Sequence, residues 1–134
     1  MKLFTPEEAN DALETVRPLT EELVRQRRRL ERRRVELGTV RAKVAGNGGD
    51  FDTAEVSEAQ ADAEEALAGV ESAIAALDEL GVQVKDLDRG LIDFPALNPA
   101  EGAIVLLCWH LGEDEVSFWH GVEEGFGGRK PLPF

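Results

Sequence analysis

Apolar residues recur every seven positions near the start of the chain, at Val16, Leu23, Leu30, Leu37 and Val44, with Leu19 and Val40 three residues after the first and fourth. A repeat of seven marks the seam along which two helices pack side by side. Gln26 and Arg33 occupy intermediate seam positions, so its middle is partly polar. Thr5-Pro6-Glu7-Glu8 opens the helix: the threonine hydroxyl caps it, proline suits the first helical position, and the glutamate three residues on completes a capping box. Pro18 lacks a backbone N–H and crowds the preceding turn, which predicts a bend or a break near Arg17. A helix unbroken from Pro6 to Ala45 would be about 60 Å long at 1.5 Å per residue.

Gly46-Asn47-Gly48-Gly49-Asp50 interrupts the pattern, with the fold-back expected at Gly48, and Asp52 or Thr53 can cap a second helix. Its stripe is Val56, Ala59, Ala63, Ala66, Val70, Ala73, Leu77 and Leu80, widened by Leu67 and Ile74, and Gly81 supplies a left-handed stop. Beyond Gly81 the pattern shortens to Val82–Lys85, Leu91–Phe94, Ala103–His110 and Glu115–His120, separated by turn residues. Ile104–Trp109 is apolar on both parities, as a central strand covered on both faces should be. Gly121 to Phe134 reads as a loop draped over the sheet. The expected fold is therefore α+β: a long antiparallel helical hairpin over residues 1–80, then a small three- or four-stranded antiparallel sheet over 81–134, in one domain spanning 1–134.

Charge sharpens that picture. The 134 residues include 15 Lys and Arg against 27 Asp and Glu, a formal net charge of −12. This balance argues against the whole molecule binding nucleic acid, whose affinity comes from clustered cations. Yet Arg17–Lys43 carries ten basic against four acidic residues, whereas Val44–Leu80 carries ten acidic residues and no Lys or Arg. Folding the hairpin sets Arg25–Arg34 beside Asp62–Glu71, so the arginine run neutralises its own neighbour. Exposed pairs contribute a few tenths of a kcal/mol each but help set register and partner. One cysteine, Cys108, forms no internal disulfide and suits a reducing compartment. With no signal-like apolar region after Met1 and no membrane-length run, the expected location is cytoplasmic.

Lys85-Asp86-Leu87-Asp88-Arg89-Gly90-Leu91-Ile92-Asp93-Phe94-Pro95, Leu107-Cys108-Trp109-His110-Leu111-Gly112-Glu113 and Phe118-Trp119-His120 together resemble the bacterial domain-of-unknown-function family 2203. The opening Phe4-Thr5-Pro6-Glu7-Glu8-Ala9-Asn10 is similar to that family's start, so the resemblance covers nearly the whole chain. It implies no activity, but directs attention to Asp86, Asp93, Trp109, Glu113, Trp119 and His120. The family pattern has Arg or Lys where this chain has His110, which weakens any mechanism needing that imidazole.

Candidate chemistry centres on a divalent-metal or acid–base site built from His120, Glu113 and Asp93, with Asp86, Cys108 or His110 as further members. Imidazole and carboxylates both ligate ions and carry protons. The loop between the last two strands decides what faces His120: a two-residue turn pairs it with Leu107, a three-residue loop with Cys108, and a five-residue loop, Leu111–Glu115, with Leu106. In that last register His110 shares the face of His120 but lies four residues along, roughly 13 Å away. In no regular register do the two histidines share one ion. Without a closely spaced ligand motif, the bland reading is a rim histidine and turn chemistry at Glu113. Cys108 reads as a small buried hydrophobe. Trp109, Trp119 and Phe94 are core residues or pocket walls. Gly125-Phe126-Gly127-Gly128-Arg129-Lys130 could cradle an anion through its amides and Arg129, or be a tail with solvated cations. Because the Ala-rich hairpin is too narrow to bury itself, a homodimer or a protein partner along it is expected. The leading functional expectation is a non-enzymatic interaction module working through the hairpin. The alternative is a metal-binding protein or metal-dependent enzyme, with no nucleic acid and no membrane in either case.

Overall fold

The computed structural model describes residues 1–47 and 52–134. Two helices, α1 (Pro6–Asn47) and α2 (Thr53–Glu79), form the hairpin. Strands β1 (Gln83–Asp86), β2 (Leu91–Asn98), β3 (Ala103–His110), β4 (Phe118–Gly121) and β5 (Lys130–Pro131) form one antiparallel sheet in the order β1-β2-β3-β4-β5. Of the predicted turn, Gly48, Gly49 and Asp50 lie outside the described residues.

The capping box is present: Glu8 N donates to Thr5 Oγ1 at 3.1 Å and Thr5 N to Glu8 Oε1 at 3.0 Å. These bonds hold the Glu8 carboxyl below its ordinary range. No break occurs at Pro18, which α1 passes without interruption. One backbone bond is lost there, but Val16 and Thr20 on either side are fully buried, so packing of the flanking turns outweighs it. Along the heptad row cover fades: Leu23 and Leu30 are buried, Leu37 is half-buried, and Val44 is 44% exposed. The basic and acidic flanks meet as expected. Arg29 and Arg33 both bind the Asp62 carboxylate, Arg33 Nε at 2.8 Å, and these bonds hold that carboxyl well below its usual range. At the far side of the hairpin Asp52 caps α2, accepting from Ala54 N at 2.8 Å, and Gly81 (φ +88°) ends the turn beyond it.

Five strands stand where three or four were expected, because the tail contributes β5 against Phe118 and Trp119. β2 also runs past Phe94 to Asn98. Proline is tolerated within it because β1 pairs only with Leu91–Asp93, leaving that edge of Pro95 outside the ladder. Phe4 N donates to the Pro95 carbonyl at 2.7 Å and its ring meets Phe94 edge-on. β4 is shorter than predicted, starting at Phe118. Strand β3 is central and buried on both parities from Val105 to Trp109. Ile92, Phe94, Val105, Leu107 and Trp109 join Leu13, Val16, Leu23, Val70 and Leu77 in the core between sheet and hairpin.

The turn before β2 closes directly on α1. Gly90 has φ +67°, and a Cβ there would sit 2.8 Å from Thr20 Cγ2 and 3.0 Å from Leu111 Cβ. Gly90→Ala combines a strained backbone with overpacking. It is expected to lower the unfolding free energy by about 1–3 kcal/mol, read as a shift in denaturant midpoint.

Candidate functional site

Alternation along the strands gives the sheet two chemically different faces. Ile92, Phe94, Leu107, Trp109 and Trp119 belong to the helix side; Asp93, Cys108 and His120 have the opposite parity. Register brings these three together: Asp93 lies opposite Cys108 across the β2–β3 ladder, and His120 lies opposite Leu106 on β4. This is the pairing that a five-residue Leu111–Glu115 loop generates, although the connection before β4 runs on to Ser117. Asp93 is 1% exposed, Cys108 0% and His120 4%.

His120 Nε2 lies 3.3 Å from Asp93 Oδ1 and 3.2 Å from Oδ2, and His120 Nδ1 lies 2.9 Å from the Gly121 carbonyl. A carbonyl only accepts, so Nδ1 carries the hydrogen, and Nε2 is the ring atom turned to the Asp93 carboxylate. One ligand atom from each of the three residues lies within 4.8 Å of the others. Burial pushes the Asp93 carboxyl above its ordinary range, opposed chiefly by the His120 charge. Burial, reinforced by the Asp93 charge, pushes the Cys108 thiol up to about 12.

Glu113 and Asp86 do not join this group. The Glu113 carboxylate accepts from Arg129 Nη2 at 2.9 and 2.8 Å and from His110 N at 2.9 Å. Its position in the β3–β4 connection, next to the returning tail, accounts for that pairing. Asp86 folds back on its own turn, accepting from Asp88 N at 2.8 Å and Arg89 N at 3.1 Å. These bonds, with that from the Arg89 side chain, lower its pKa. His110 turns Nδ1 to the Leu111 carbonyl, 2.9 Å away.

The anion cradle is corrected as well. Gly125–Arg129 forms a tight turn with Gly128 N donating to the Gly125 carbonyl and Arg129 N to that of Phe126. The Arg129 guanidinium is bound to Glu113 and stacked 4.0 Å from the Phe118 ring centroid and 4.5 Å from that of Phe126. Lys130 pairs with Glu124 at 2.8 Å. Nor do Trp109, Trp119 and Phe94 wall a pocket. Phe94 and Trp109 are wholly buried in the core, Trp109 Nε1 donating to the Glu113 carbonyl at 2.9 Å, and Trp119 lies under Phe134 and Lys130. Reading the residues singly misses the Glu113–Arg129 bridge and undervalues Cys108. The usable signal is parity, since Asp93, Cys108 and His120 share a face once the five-residue loop is chosen.

These features define an α+β protein with a helical hairpin on one sheet face and a buried carboxylate–thiol–imidazole group on the other. The chain belongs to the uncharacterized conserved protein family DUF2203, whose model matches residues 2–132. No curated protein and no solved structure matches it. Among the described residues, no helix is long and apolar enough to cross a membrane.

Proposed function

We propose that this protein binds a divalent transition-metal ion of the zinc class through Asp93, Cys108 and His120 Nε2. The observation that carries the reading is the 3.2 Å approach of His120 Nε2 to the Asp93 carboxylate while Nδ1 is committed to Gly121. A ring nitrogen this close to a carboxylate needs a cation between the two, either a proton or a metal ion. Tetrahedral zinc with N and O bonds of about 2.0–2.1 Å sets those two ligand atoms roughly 3.3–3.4 Å apart, close to the observed separation. The Nδ1–H···O=C bond is the support that metal-bound histidines commonly have. A mixed O, S and N set favours zinc or a similar ion over magnesium or calcium, which take oxygen alone. Three protein ligands leave a fourth position for water or an exogenous group.

Elemental analysis of the purified chain, before and after zinc supplementation and desalting, tests this. About one zinc per chain is expected; no stoichiometric ion in either sample overturns it. A second reading, a non-enzymatic interaction module, draws support from the exposed surface of the hairpin rather than from the sheet.

A further inference from the structure

A groove runs along one flank of α1, beside the sheet connections that pack against it. Its first part, about 410 Å³, is lined by Glu21, Val24, Arg25, Arg28 and Arg32 of the helix and by Leu111 of the β3–β4 connection. Its second part, about 520 Å³, shares Arg28 and Arg32 and adds Glu31, Val35 and, from the β1–β2 turn, Asp88. The wall facing the helix is tied in place: Leu111 N donates to the Gly90 carbonyl at 3.0 Å, and Gly90 closes on Thr20 and Val24. Spacings of four, three, four and three set Glu21, Arg25, Arg28, Arg32 and Val35 on one helical face.

The charges in this groove do not balance locally. Arg27 holds Glu31 at 2.8 Å and Asp88 at 3.2 Å, and Arg34 reaches Glu31 at 3.4 Å, so the acids of the second part are matched by arginines outside the lining. Arg28 and Arg32, both exposed and one turn apart, have no ion-pair partner among the described residues. Arg25 pairs only along its own helix with Glu22. Apolar surface accompanies the free cations: Val24 is a buried floor, Leu111 is half-buried, and Val35 at the far end is 68% exposed.

We propose that this groove docks an acidic amphipathic helix of a partner protein, its carboxylates on Arg28 and Arg32 and its apolar side chains on Val24, Leu111 and Val35. Opposite charge orients such a helix and apolar burial holds it. From Glu21 to Val35 the groove is about 21 Å long, roughly four helical turns. Carboxylates one turn apart on the bound helix match arginines one turn apart on α1. Single-stranded nucleic acid fits less well, because among the described residues no aromatic side chain lines the groove for a base to stack on, and Glu21, Glu31 and Asp88 stand along the path of a phosphate backbone. A small anion would meet the guanidinium groups alone and leave Val35 in water. The groove is on the helix side of the sheet, so the proposal is independent of the metal reading.

Fluorescence anisotropy on the full chain reads the result. The probes are fluorescein-labelled peptides of about 16 residues built from Glu, Leu and Ala in helical repeats, the same peptides with Lys for Glu, and labelled oligothymidylate. The Glu peptides should bind at micromolar concentration and weaken as salt is added, and the other two probes should not bind. Arg28→Glu/Arg32→Glu should weaken binding by at least about tenfold. Arg34→Glu/Arg41→Glu makes the same change in charge on the opposite face of α1 and should stay within about threefold. All four positions are exposed, so helical circular dichroism should be unchanged in both variants. The proposal is overturned if no Glu peptide binds, if the two reversals weaken binding equally, or if oligothymidylate binds more tightly than every Glu peptide.

Discussion

His120→Ala is expected to weaken zinc binding by more than about 100-fold, beyond the 10–100-fold typical of losing a supporting second-sphere group. Cys108→Ser and Asp93→Asn should fall in the same direction, measured by competition against a chromophoric chelator. Glu113→Gln should keep zinc affinity within a few-fold, because that carboxylate is bound to Arg129 and is not one of the three proposed ligands. Equal losses at Glu113 and His120 would contradict the ligand set. The sign of the pH dependence follows from the metal-free groups. The Cys108 thiol, pushed up to about 12, must surrender its proton to ligate, and the Asp93 carboxyl is raised too. Zinc uptake should therefore release protons, and apparent affinity should fall as pH falls, by up to about tenfold per pH unit for each proton displaced. Calorimetry in buffers of different ionisation enthalpy counts those protons. On the proposed ligand set a bound ion would tie β2, β3 and β4 together, so stability should rise by about 2.7 kcal/mol when free zinc is 100 times its dissociation constant.

Trp109→Ala should be the most damaging single change in the core. The side chain is fully buried between sheet and hairpin, and its indole N–H anchors the β3–β4 connection through the Glu113 carbonyl. Loss of that volume is expected to cost about 3–5 kcal/mol, a large share of the roughly 5–15 kcal/mol that holds a typical domain folded. Trp109→Phe keeps most of the ring volume and removes the donor, so it should cost less, about 1–3 kcal/mol for the orphaned carbonyl. Guanidinium unfolding of the metal-free protein separates the two: both midpoints fall, the alanine variant further, with little change in slope.

The hairpin is legible because its information is local. The seven-residue repeat, the Thr5–Glu8 box, the Asp52 cap and Gly81 each act within a turn or two of helix, and each is found where the chain signals it. Pro18 misleads for the opposite reason. A local penalty is offset by burial of Val16 and Thr20 against distant strands. The extra strand leaves no trace in the pattern because a two-residue strand, one residue of which is a proline, has no periodicity to detect, and β5 exists through its pairing with β4.

The sequence by itself determined the class of fold, the opposed charges of the two helices, and the residue types able to hold an ion. Only the tertiary structure decided which of them meet. Side chains alternate every residue along a strand, so a one-residue change in the β3–β4 loop would move His120 to the other face of the sheet. The register with Leu106 opposite His120 selects Asp93 and Cys108 as its companions, while the returning tail takes Glu113 for Arg129.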